Sequence, residues 1–125
     1  MKISFDYHGV IDQYPDVFRA IIKALRKDGH RVYIVTGTAG LEAEDLLEKL
    51  EIEYDQIFSI TDELTGYTIP AYINKDKRLC FDDKEWDKAK GKFCFDELID
   101  LHLDDTIRYT KYFKTPVAIF EAKKK

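Results

Sequence analysis

Cysteine is scarce in this chain. Cys80 and Cys94 are the only two among 125 residues. They are too few for a disulfide scaffold or a four-cysteine zinc site, and they suit a reducing cytoplasm. Long apolar runs are lacking as well. No stretch approaches the ~18 residues of a membrane span. The opening Met1-Lys2-Ile3-Ser4-Phe5 meets a charge at Asp6, too early for the apolar core of a targeting signal. Positive charge is not in surplus: 20 Lys and Arg face 24 Asp and Glu, a net charge of -4. A general nucleic-acid or membrane coat is therefore not expected. Repeats, low-complexity tracts and Gly/Ser linkers are missing too, so one domain over 1–125 is expected. The Lys123-Lys124-Lys125 tail reads as a solvated terminus.

What is present is the composition of a folding chain. Hydrophobic residues make up 45% and aromatic residues 14%, which excludes disorder as the default. The pattern alternates strand and helix. Lys2 to Asp6 reads as a short strand ending in a charge. Pro15 opens a helix to Lys27, with Val17, Phe18, Ile21, Ile22 and Leu25 at helical spacing, and Asp28-Gly29 stops it. Val32-Tyr33-Ile34-Val35 is a continuous β-branched and aromatic run, as in a strand buried on both faces of a parallel sheet. After the turn Thr36-Gly37-Thr38-Ala39-Gly40, a second helix sets Leu41, Leu46, Leu47 and Leu50 on one face. Gln56 to Ile60 reads as a third strand.

Residues 61–85 are less regular. Gly66, Pro70 and Asn74-Lys75-Asp76-Lys77 mark turns, and Tyr72-Ile73 with Leu79-Cys80-Phe81 suggests a small hairpin or flap. Asp82-Asp83 reads as a solvated acidic pair. Trp86 to Leu98 reads as helix, weakened by Gly91. Ile99 to Leu103 reads as a fourth strand with Asp104-Asp105 at its carboxyl end. Thr106 to Phe113 is a short helix and Pro116 to Phe120 a fifth strand. The expected architecture is a three-layer, Rossmann-like α/β fold with a mostly parallel five-stranded sheet. His102, on the strand before Asp104, reads as a hydrogen-bonded core residue, and Cys94 as core.

Ligands of open α/β sheets bind beyond the carboxyl ends of the strands. Asp6, Thr36, Asp104 and Asp105 all stand at such ends. Carboxylates brought together repel, and a hard divalent cation such as Mg²⁺ relieves them. The Thr36 hydroxyl and the Gly37 N–H would donate to an oxyanion, helped by the start of the next helix and a nearby lysine. That set of groups suits phosphoryl transfer to an aspartate.

The residues resemble a known family. Phe5-Asp6-Tyr7-His8-Gly9-Val10-Ile11 is similar to the first motif of the haloacid dehalogenase-like hydrolases, Ile34-Val35-Thr36-Gly37 to the second, and Leu101-His102-Leu103-Asp104-Asp105 to the fourth. Lys90, 14 residues before Asp104, is placed like the third-motif lysine, with Lys88 and Lys92 as competitors. The resemblance implies a Mg²⁺-dependent phosphohydrolase working through an aspartyl-phosphate. It makes Asp6 the nucleophile and a metal ligand, with the His8 backbone carbonyl, Asp104 and Asp105 completing the ligand set. Thr36, Gly37 and Lys90 would hold the phosphoryl group. His8 stands where the family's phosphatases carry the aspartate that acts as general acid and base, and imidazole suits the same work. Gly9 to Pro15 leaves no room for a cap domain. The open site would admit a large phosphorylated substrate or be closed by a second copy of the chain. The alternative is a catalytically degenerate relative that binds a phosphorylated ligand or a protein partner.

Overall fold

The β-branched and aromatic run Val32 to Val35 forms a buried strand, as its composition favours. A computed structural model of the chain describes residues 1–67, 72–73 and 79–123. Along the chain come β1 (Lys2–Phe5), a wide turn (Tyr7–Ile11), α1 (Pro15–Lys27), β2 (Arg31–Thr36), α2 (Gly40–Lys49), β3 (Gln56–Ser59) and α3 (Ile60–Tyr67). Then follow β4 (Tyr72–Ile73), β5 (Leu79–Cys80), α4 (Asp83–Asp96), β6 (Leu101–Asp104), a 3₁₀ helix (Ile107–Tyr112) and β7 (Val117–Ile119).

Five strands make one sheet in the order β3-β2-β1-β6-β7, and every pairing in it is parallel. The expectation of a mostly parallel sheet is thus exceeded. β4 and β5 pair antiparallel as a separate hairpin. The expected turns at Pro70 and Asn74 to Lys77 lie outside the described residues.

The sheet is covered on both faces. Ile3, Phe5, Val32 and Ile34 pack with Phe18 and Ile22 of α1 and Leu47 of α2. On the opposite face, Tyr33 and Val35 pack with Cys94 of α4. Each large apolar side chain so buried contributes roughly 1.5–3 kcal/mol. Beside them, Ile60 and Leu64 of α3 meet Ala89 of α4. Among the described residues no helix is long and apolar enough to cross a membrane.

Several element boundaries differ from the sequence reading for identifiable reasons. Residues 60–67 are helical, because the Ser59 hydroxyl accepts the Asp62 N–H at 3.1 Å and caps α3. Gly66 falls inside that helix rather than at a turn. α4 starts at Asp83, three residues earlier than Trp86, because Asp82 is its cap. The Asp82 Oδ1 accepts from the N–H groups of Lys84 and Glu85, both at 3.1 Å, so Asp82 is not merely a solvated acid. Leu41 is 84% exposed. It lies about one and two-thirds turns from Leu47, so the two cannot share a face, and Ala43 takes the buried position instead. Gly91 is no weakness in α4. A Cβ there would strike the Tyr112 carbonyl, so glycine lets the helix and the 3₁₀ segment approach closely.

Candidate functional site

Parallel register assembles the site. Phe5 pairs with Leu103, so the next residues, Asp6 and Asp104, emerge side by side at the carboxyl ends of β1 and β6. The Asp6 N–H donates to the Leu103 carbonyl at 2.9 Å, extending the ladder by one bond. Both carboxylates are buried, Asp6 at 5% and Asp104 at 1% exposure.

One lysine serves both. The Lys90 ammonium, itself buried, lies 3.1 Å from Asp6 Oδ1 and 2.8 Å from Asp104 Oδ2. It also sits 5.1 Å from the centre of the Tyr109 ring. Of the three lysines that spacing allows, Lys90 is the one that reaches the acids. Lys92 points to solvent and pairs with Asp96, and Lys88 is half-buried away from the acids. Burial alone would lower the Lys90 pKa, but Asp6 and Asp104 outweigh it and raise it.

The carboxylates do not share that ammonium equally. Burial pushes the Asp6 carboxyl up to about 8; Lys90 opposes this and the charges of Asp104 and Asp105 add to it. Burial acts the same way on Asp104, but the hydrogen bond from His102 and the charge and hydrogen bond of Lys90 prevail, holding it below the usual carboxylate range. One cation satisfies one anion, and the proton falls to Asp6.

Asp105 is exposed and completes the acidic group. One carboxylate oxygen from each of Asp6, Asp104 and Asp105 lies within 4.8 Å of the others. Gly9, at φ +85, makes room for this: a Cβ there would overlap the Asp105 carboxylate. Three carboxylates against one ammonium form an all-oxygen, net negative donor set, which fits a hard cation such as Mg²⁺.

A cleft of about 630 Å³ opens above these groups, lined by Asp6, Lys90 and Asp105 and by His8, Gly37 and Glu42 among others. Trp86 and Tyr109 form part of its wall, joined by a bond from the Trp86 ring N–H to the Tyr109 hydroxyl at 3.1 Å. His8 has a side chain 61% exposed, and its Nδ1 lies 3.3 Å from Asp12 Oδ2. Asp12 also accepts the Gly9 N–H at 2.7 Å, so one carboxylate holds both the turn and the imidazole.

The loop after β2 is tied from behind. The Thr61 hydroxyl donates to the Gly37 carbonyl at 2.6 Å, and the Ser59 hydroxyl donates to the Thr38 carbonyl at 2.7 Å. Those carbonyls are therefore turned towards the β3–α3 junction, and Gly37, Thr38 and Ala39 line the cleft. Thr36 is fully buried and is not on the cleft wall. Its hydroxyl accepts the Thr38 N–H at 3.2 Å, which leaves its own proton to donate. The start of α2 is less open to an anion than its sequence suggests, because the Asp62 carboxylate accepts the Gly40 N–H at 3.1 Å.

The residues read from sequence thus fall into two groups. Asp6, His8, Gly37, Lys90 and Asp105 line one cleft, with Asp104 directly beneath; Thr36 stands at the same sheet edge without reaching the wall. Sequence reading missed Trp86, Tyr109 and Glu42 as wall residues, and no local motif marks them.

Compared with family models, curated proteins and solved structures, the chain matches none. Its chemistry is therefore read from the site.

Proposed function

We propose that this chain is a small Mg²⁺-dependent phosphohydrolase of the haloacid dehalogenase-like kind, without a large cap, acting through an aspartyl-phosphate on Asp6. The observation that carries the reading is the convergence of Asp6, Asp104 and Asp105 with the buried Lys90 at the floor of an open cleft. The carboxylates of Asp6, Asp104 and Asp105 and the backbone carbonyl of His8 would hold the cation. Bound there, Mg²⁺ supplies the positive charge that keeps Asp6 ionised and offsets its repulsion with a phosphate dianion.

The chain's own groups then divide the work. Lys90 and the Gly37 N–H hold the phosphoryl oxygens, while Thr36, off the cleft wall, steadies the loop that carries Gly37 by accepting the Thr38 N–H. An Asp6 oxygen bonds to phosphorus as the ester P–O bond breaks, and the leaving oxygen takes a proton from the His8 imidazolium. Neutral His8 next accepts a proton from water as that water bonds to phosphorus. The P–O bond to Asp6 then breaks, giving phosphate and the free carboxylate. The substrate is a phosphomonoester, and the openness of the cleft suits a large one or closure by a second copy of the chain. The reading also favours the cytoplasm, where the free, buried thiol of Cys94 persists.

The test is phosphate release from p-nitrophenyl phosphate, nucleotides, sugar phosphates and phosphorylated oligonucleotides, with Mg²⁺ or chelator. Wild type should turn over only with Mg²⁺, Asp6→Asn not at all, and His8→Asn more slowly by ~10²–10⁴-fold. Mg²⁺ uptake without Asp6-dependent turnover on any class would favour the second reading, a non-catalytic binder of phosphorylated ligands. The departure at His8 is the feature that favours it.

A further inference from the structure

Beneath the cleft, three further side chains continue the hydrogen bonding of Asp104 into the core. Ser4 and His102 pair across β1 and β6, one strand repeat below Asp6 and Asp104, and both are fully buried. His102 Nε2 lies 2.8 Å from Asp104 Oδ2, and its Nδ1 lies 2.7 Å from Ser4 Oγ. Ser4 Oγ is in turn 3.7 Å from Cys94 Sγ. Phe113 stacks on the imidazole at 5.1 Å and 11°, which holds the ring plane.

The direction of every bond follows from one end. An ionised carboxylate only accepts. His102 Nε2 therefore carries the hydrogen. In the Nε2–H tautomer the other ring nitrogen, Nδ1, is an acceptor, and it faces the Ser4 hydroxyl at 2.7 Å. Ser4 donates to it. The Ser4 oxygen then accepts from Cys94, whose thiol burial pushes up to about 11 and so keeps protonated.

This order decides which Asp104 oxygen is open. Oδ2 receives Lys90 at 2.8 Å and His102 at 2.8 Å. Those two donors fill its lone pairs. Among the described residues, Oδ1 receives only the Thr106 N–H, at 3.1 Å, and keeps a lone pair.

We infer that Ser4 and His102 are positioning residues of the cation site: Ser4 sets the imidazole tautomer, the imidazole occupies Oδ2, and Asp104 presents Oδ1 to the cation. The role rests on the Mg²⁺ reading above. Groups of this kind orient metal ligands from behind, and their loss costs affinity without removing a ligand.

Two measurements test it. Nitrogen NMR of the histidine-labelled wild-type chain should show His102 as the Nε2–H tautomer; an Nδ1–H tautomer would overturn the inference. Calorimetric titration with Mg²⁺ alone should show Kd weakened by about 10-fold or more in His102→Met, and less in Ser4→Ala. His102→Gln, whose amide nitrogen reaches the Nε2 position, should keep most of the affinity. Thermal unfolding of each metal-free variant separates stability from binding. Variants that melt lower yet bind Mg²⁺ like wild type, or Met and Gln variants that behave alike, would overturn the positioning role and leave the cation site standing. A wild-type chain that takes up no Mg²⁺ would overturn both.

Discussion

Asp6 and Asp104 are neighbours because β1 and β6 run parallel in the register that joins Phe5 to Leu103. Neither strand alone makes the site. A slip of one residue would turn one of the carboxylates to the opposite face of the sheet. The same register stacks Ser4 against His102 one layer below, so the acidic floor and its support come from a single pairing.

The protonation of Asp6 gives a pH dependence with a definite sign. Its carboxyl is pushed up to about 8, chiefly by burial. The folded state therefore binds this proton more tightly than the unfolded chain. The stability it contributes is complete below the ordinary carboxylate pKa and is lost as pH rises through about 8. In chelator, the wild-type melting temperature should fall between about pH 4 and 8 and level off above that, and that of Asp6→Asn should stay flatter and end several degrees higher. Equal slopes for the two proteins would contradict the assignment of the proton to Asp6.

Lys90 is the sole ammonium between two buried carboxylates among the described residues. Lys90→Met removes the cation and leaves the anions. Such a loss costs about 3–5 kcal/mol. Metal-free Lys90→Met should melt far below wild type, and added Mg²⁺ should recover part of the difference. Scanning calorimetry with and without Mg²⁺ checks both statements.

Gly91→Ala sets helix propensity against packing. Propensity alone would make alanine better by ~1 kcal/mol. A Cβ at this position, however, would strike the Tyr112 carbonyl oxygen and lie 2.9 Å from its carbon. The expected net effect is a loss of roughly 1–3 kcal/mol, read as a lower urea midpoint. A raised midpoint would mean that the two segments part without cost.

Asp82→Ala removes the cap of α4 and both of its bonds to backbone N–H groups. A loss of about 1 kcal/mol is expected, and Asp82→Asn should restore most of it. Denaturant titration of the three proteins decides the point.

Much of the fold was legible because it is written in local patterns. The apolar run Val32 to Val35 and the Pro15 start of α1 needed only neighbouring residues to read. The acids and Thr36 at strand ends were legible for the same reason. Leu41 misled because a run of leucines hides a small buried residue, and Ala43 carries little hydrophobic signal. α3 was hidden by Thr61, Thr65 and Gly66, poor helix formers, although Ser59-x-x-Asp62 is a cap signature. His102 was legible as a hydrogen-bonded core residue, and it is one, but the identity of its partners was beyond reach. They depend on register between strands about a hundred residues apart in the chain, and periodicity carries no information on register. The aromatic wall of Trp86 and Tyr109 was missed likewise, since it unites two segments that only packing joins.

The cap at Asp82 and the ammonium at Lys90 lie on one rigid helix, two turns apart. The cap therefore acts as the zero of a ruler. Inserting or deleting one residue between them would swing the ammonium by about 100° around the helix axis, away from the acids. The count matters in the eight residues that follow Asp82. In a lineage of such chains, the count from Asp82 to Lys90 would be kept.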